Sequence, residues 1–145
     1  MINASRTSFV ILALLIFGAA WGHACECAGV KPAPAAALEE AGAVFLGKVT
    51  EIARTKESAI VTLEVDRVWK GVKVKTVRVW AGNGFNCGFH FAVGKKYLVY
   101  AVVGPPTAED KAPFYTSSCH RTCHLGDAHE DLKVIGAGTP IEDAK

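Results

Sequence analysis

Five cysteines, Cys25, Cys27, Cys87, Cys119 and Cys123, all follow an unbroken apolar or small stretch, Phe9–Ala20 (FVILALLIFGAA), and none precedes it. Arg6 is the only Lys, Arg, Asp or Glu ahead of Glu26. The apolar stretch is too short for a hydrocarbon core, which takes about 20 apolar residues. A basic start, a short apolar run and then small residues describe a secretory signal peptide. Gly22 and Ala24 stand at the −3 and −1 positions of a cut before Cys25. The competing reading of this stretch is a membrane anchor helix; no other run in the chain approaches spanning length, so no membrane span is expected. The expected organisation is a signal peptide over 1–24, one folded domain over 25–135 and a flexible tail over 136–145.

Export sets the redox compartment. A secreted, periplasmic or extracellular chain meets oxidising conditions in which disulfides persist. Two bonds and one spare thiol is the simplest count, and sequence alone leaves the pairing open. Cys25 and Cys27 point to opposite sides of an extended chain, so they are expected to take different partners. A bond from either to a distant cysteine closes a long loop, for which chain-entropy models give roughly 4 kcal/mol. Cys119-x3-Cys123-His124, with His120 and His129 nearby, competes as a zinc cluster. Zinc sites commonly pair such a cluster with a second of similar spacing, and only Cys25-x-Cys27 remains, so no metal or cofactor of its own is expected. His90, His120, His124 and His129 are read as surface residues in loops. A second processing route is lipidation of Cys25 itself, which would make the chain an envelope lipoprotein. Such sites usually carry an apolar residue at −3, where Gly22 stands.

The 145 residues fit one domain and exclude an eight-unit strand–helix barrel or a two-domain dehydrogenase. The net charge of +2 is no nucleic-acid footprint. Past a Pro- and Ala-rich leader, Val30–Ala37, the segment Ala35–Ala41 has the composition of a short helical turn. Five segments then read as strands. Ala43–Ala53 is apolar, with Gly47 marking a bulge or bend. Ala59–Trp69 alternates, with Val61, Leu63 and Val65 on one face and Thr62, Glu64 and Asp66 on the other, the pattern of a strand with one wet face. Val72–Trp80 changes apolar phase near Thr76, and a bulge there would turn both sets of valines inward. Lys95–Val103 is a nearly continuous apolar run, fit for a central strand. Phe114–Ser118 makes the fifth. Asp127–Ile135 reads as a short helix presenting Leu132 and Ile135 to the barrel, with early acids suited to the helix dipole. Five short strands with little helix give an all-β fold with a short C-terminal helix, a five-stranded OB-type barrel stapled by disulfides. Trp69 and Trp80 are expected to pack the barrel or its rim, and Lys70, Lys73, Lys75, Arg78, Lys95 and Lys96 to form a solvated sheet face.

Catalytic signatures are missing from the sequence. It holds no GxGxxG, P-loop, HExxH or GxSxG, and the GxG of Gly82–Gly84 precedes no helical pattern. Glu39-Glu40 and Glu130-Asp131 read as solvated helix surface rather than acid/base pairs. The expectation is therefore a non-enzyme without catalytic residues.

The sequence resembles the N-terminal domain of the tissue inhibitors of metalloproteinases, part of the netrin-like group. The residues that carry the resemblance are Cys25-Glu26-Cys27 at the expected mature start, Ala43–Val49 (AVFLGKV), Val65–Gly71 (VDRVWKG), Asn86-Cys87-Gly88 followed by Val93–Val99 (VGKKYLV), and Thr116–Cys119 (TSSC). It covers that domain only, over Cys25–Ile135. It implies an OB-type barrel, the pairings Cys25–Cys87 and Cys27–Cys119, and inhibition of a zinc metalloprotease. In that mechanism the α-amine and carbonyl oxygen of Cys25 chelate the protease's zinc, with Glu26 entering the pocket beside it and Cys27 fixing the segment. The chain departs from the family at three points. Vertebrate-type inhibitors carry Ser or Thr where Glu26 stands, Ala35–Ala37 occupy the approximate place of a third early cysteine, and Cys123 has no counterpart: it is expected to stay unpaired, the alternatives being a bond between chains or competition with Cys119 for Cys27. The alternative is a non-inhibitory binding module on the same barrel, lipid-anchored at Cys25 or free, since a fold does not fix a function.

Overall fold

The computed structural model describes residues 25, 27–56, 58–82, 87–104 and 112–142. The signal peptide expected over 1–24 and the side chain of Glu26 lie outside the described residues. The elements are helix α1 (Pro34–Glu40), strands β1 (Ala43–Arg54), β2 (Ala59–Lys70), β3 (Thr76–Trp80), β4 (Lys96–Val103), β5 (Phe114–Tyr115) and β6 (Cys123–His124), a 3-10 turn at Leu125–Asp127, helix α2 (His129–Ile135), and strand β7 (Thr139–Pro140).

The strands close on themselves. Sheet order runs β1-β2-β3-β5-β4, and β4 returns to pair with β1. All pairs are antiparallel except β3 with β5. This is the expected five-stranded OB-type barrel, and closure leaves none of its five strands with an open edge. Closure needs a bend in β1, which serves β2 along its whole length and β4 only over Ala43–Lys48. The β1–β2 register shifts between Leu46 and Gly47. A Cβ at Gly47 would lie 3.0 Å from the Glu64 carbonyl oxygen and 3.3 Å from the Leu63 Cβ, so a side chain there would have to push β2 aside by a few tenths of an ångström.

Inside the barrel sit Phe45, Val49, Val61, Leu63, Val65, Val77, Val79, Phe91, Tyr97 and Val99. A second apolar cluster lies outside it, where α1 and α2 cover Val44, Leu98 and Tyr100. This explains the unbroken apolar run of β4: alternate residues face the barrel interior and the helices, so neither face is wet. Leu132 and Ile135 of α2 join the outer cluster as expected, and so does Trp69. Trp80 packs at the rim, its ring centroid 4.8 Å from that of Tyr115. Pro34 opens α1 at its first turn, where its missing N–H costs nothing. Lys70 Nζ donates to the carbonyls of Leu38 (3.2 Å) and Glu39 (2.7 Å), closing the helix's C-terminal end. Lys96 reaches Asp66 at 2.7 Å across the outer sheet face.

Four expectations need correction. No bulge turns both valine sets of Val72–Trp80 inward: Val72 is buried, but Val74 is 58 % exposed and pairing begins only at Thr76. Gly71, at φ +75°, packs on the backbone of Gly42 and Ala43 and diverts the chain before it can join the ladder. The segment Phe114–Ser118 is strand only to Tyr115, because Thr116 and Ser117 turn their hydroxyls to internal hydrogen bonds. Asp131 is not solvated surface but 3 % exposed. The stretch after Gly136, expected to be a flexible tail, lies along β2: Thr139 and Pro140 pair with Val68 and Arg67. Arg67 Nη1 donates to the Ala137 carbonyl (2.9 Å) and Trp69 Nε1 to that of Gly136 (3.1 Å).

Candidate functional site

At one end of the barrel the N-terminal segment is tied down twice. Cys25 is bonded to Cys87, with Cα atoms 5.4 Å apart, and Cys27 to Cys119, with Cα atoms 5.3 Å apart. These are the pairings the resemblance implied, and the two neighbours do take different partners. The bonds anchor the segment to two loops that also hold each other: the Ser118 N–H (2.8 Å) and hydroxyl (2.9 Å) both donate to the Cys87 carbonyl. Cys87 has φ +57°, a strained value for a residue with a side chain. Cys25 itself is exposed.

Behind the disulfides the 117–122 loop is rigidly organised. The Ser117 N–H donates to His120 Nδ1 (3.0 Å), which must therefore be unprotonated. The Cys119 N–H donates to Ser117 Oγ (3.3 Å). Burial, and secondly the charge of Lys31, hold the His120 pKa below the ordinary value. His120 is thus half-buried rather than a free loop residue. Thr122 Oγ1 accepts from the Tyr100 N–H (3.0 Å), and Thr116 Oγ1 donates to the Tyr100 carbonyl (2.8 Å).

Arg121 then ties the loop to the segment leading away from Cys27. Its Nη1 donates to the Pro32 carbonyl (3.1 Å), while Nε and Nη2 each reach Asp131 at 2.8 Å. The Tyr100 hydroxyl donates to Asp131 Oδ1 at 2.8 Å. Burial alone would raise the Asp131 pKa, but the Arg121 fork and the Tyr100 hydroxyl outweigh it and hold the carboxyl below the usual range. Burial first, then the Asp131 hydrogen bond, pushes Tyr100 well above its normal value. The sequence reading missed this network. Its one local signal is helical spacing: Asp131 lies three residues after Ala128 and four before Ile135, on the covered face of α2.

Cys123 is the unpaired thiol among the described cysteines. It sits on β6 opposite Leu98, against the outer apolar cluster. Burial, then the charges of Asp131 and Asp127, push its pKa up to about 11. The zinc cluster weighed around Cys119, Cys123 and the nearby histidines does not assemble. Among the described residues the group close enough to share an ion is Cys25, Cys27 and Cys119, and their sulfurs are engaged in disulfides.

The arrangement places the exposed Cys25 at the surface of a disulfide-locked β scaffold. Among the described residues no helix is long and apolar enough to cross a membrane. The chain matches none of the family models it was compared with, and no curated protein matches it.

Proposed function

We propose that the chain is an exported inhibitor of zinc metalloproteases, similar to the N-terminal domain of the tissue inhibitors of metalloproteinases, and that it acts through Cys25. The observation that carries the reading is the double tether: Cys25 is exposed while its own sulfur and that of Cys27 are bonded to separate loops of the barrel. A catalytic zinc keeps one position open beyond three protein ligands. Once cleavage before Cys25 frees its α-amine, the amine nitrogen and the Cys25 carbonyl oxygen bind that zinc as a pincer and displace the catalytic water. The amine must be neutral to donate its lone pair. An α-amino group titrates near about 7.7–8.0, so its deprotonation costs little at neutral pH and inhibition weakens in acid. The tethers fix the pincer before binding, which reduces the ordering cost of association.

The Cys25–Cys87 bond supports this reading over a lipid anchor. An acyl anchor would occupy the sulfur that here bonds Cys87 and would leave the amine blocked. The test is one added residue ahead of Cys25, compared with the native start on a panel of zinc proteases. The pincer predicts that the added residue abolishes inhibition of every sensitive protease; retained inhibition contradicts it. A panel wholly unaffected by correctly processed protein would favour a binding module on the same barrel.

A further inference from the structure

Between Cys27 and α1 the chain forms an arch that stands clear of the barrel. Residues 28–31 are all exposed. Val30, 97 % exposed, is the most open of the large apolar side chains among the described residues. A Cβ at Gly29 would meet nothing within 4 Å, so no wall backs the arch there. Gly29 has φ +94°, a value that suits glycine and turns the chain out of an extended run just before Val30. Both ends of the arch are fixed. Cys27 is bonded to Cys119 at one, and at the other Arg121, itself gripped by Asp131, donates to the Pro32 carbonyl at 3.1 Å.

We propose that this arch is a second contact surface, on which the Val30 side chain enters an apolar pocket that borders the target protease's zinc cleft. The inference rests on the inhibitor reading and adds to it a contact that the pincer does not supply. Single exposed apolar side chains are ordinary on a protein surface; Val30 differs in its mounting and its place. It buries almost none of its surface in the fold, so nearly all of its apolar area is left for a partner to cover. The clamps at Cys27 and Pro32 hold the arch before binding, which lowers the ordering cost of using it. Five residues separate Val30 from Cys25, a reach of at most about 18 Å. A standard protein interface covers about 800 Å² on each partner, a patch roughly 32 Å across. A protease seated on Cys25 therefore extends over the arch.

The experiment compares inhibition constants of the whole mature protein, Val30→Ser and Val74→Ser on a panel of zinc proteases, with the Tm of each protein. Val74 is the control: it is 58 % exposed and precedes β3, whereas the other end of that strand, Trp80, meets the 116–119 loop through the Thr116 N–H. Val30→Ser is expected to weaken inhibition of at least one sensitive protease by at least about tenfold, mainly through faster dissociation. Val74→Ser leaves inhibition unchanged, and all three proteins melt together, because neither exposed side chain supports the core. Equal constants for wild type and Val30→Ser on every sensitive protease, an equal loss in Val74→Ser, or a lowered Tm in Val30→Ser overturns the contact and leaves the pincer standing. A wild-type protein that inhibits none of the panel overturns the inhibitor reading and the contact with it.

Discussion

Arg121 and Asp131 meet in a two-point ion pair, Nε on Oδ1 and Nη2 on Oδ2, both at 2.8 Å, with the carboxylate 3 % exposed. The pair joins α2 to the loop that carries Cys119, and through the Pro32 carbonyl to the N-terminal segment. Removing one partner strands the other charge in the interior. Asp131→Asn is therefore expected to cost about 3–5 kcal/mol, read as a lower denaturant midpoint. Asp131 has a depressed folded pKa, so its contribution is present above the unfolded value of about 3.9 and is lost as pH falls through the folded one. Wild-type stability should fall in that acid range by more than that of the Asn variant. Equal acid sensitivity would contradict the pairing.

His120 gives a second, milder acid response. Its folded pKa lies below the ordinary value, because burial first, and then the charge of Lys31, favour the neutral ring, which accepts from the Ser117 N–H. The stabilisation is complete above about pH 6.5 and is lost as pH falls from there through the folded pKa. His120→Asn keeps a short polar side chain without a titrating group. The Tm difference between wild type and variant is expected to shrink on moving from about pH 7.5 to about pH 5; a constant difference would show that the ring does not titrate against the turn.

Cys123 should be chemically quiet. A thiol pushed up to about 11 and half-covered carries almost no thiolate at neutral pH. Iodoacetamide is expected to leave the folded protein unlabelled over a period in which denatured protein takes up one label per chain. Rapid labelling of folded protein would place Cys123 in solvent instead.

The inhibitor reading puts a carboxylate, Glu26, into the protease pocket beside the zinc. Burying an unpaired carboxylate is costly, so proteases with an apolar pocket there should be resisted. Glu26→Thr is expected to strengthen inhibition of those enzymes by at least about tenfold, some 1.4 kcal/mol, measured as inhibition constants across a panel. Unchanged constants would remove Glu26 from the contact.

Most of the barrel was legible because its strands carry one-dimensional signals. Val61, Leu63 and Val65 alternate with polar residues, and the unbroken run of β4 reflects cover on both faces. Val74 was misread because the alternation of VKVK takes no account of the Gly71 turn packing on Gly42. The disulfide pairing followed from the family resemblance, not from spacing, since partners are decided by which loops the barrel brings to one end. The Tyr100–Asp131–Arg121 network was out of reach for a related reason: its members come from β4, α2 and the loop between β5 and β6, and no local rule links them. The course of 136–142 along β2 depends on backbone carbonyls accepting from Arg67 and Trp69, which side-chain patterns do not record.

The account depends on a bare α-amine at Cys25, and intact mass combined with peptide mapping of the exported protein reads it directly. The predicted result is a chain that begins at Cys25 with an unmodified first residue, Cys25 linked to Cys87, Cys27 linked to Cys119, and a free thiol at Cys123. A different first residue, or an acyl group on Cys25, would contradict it.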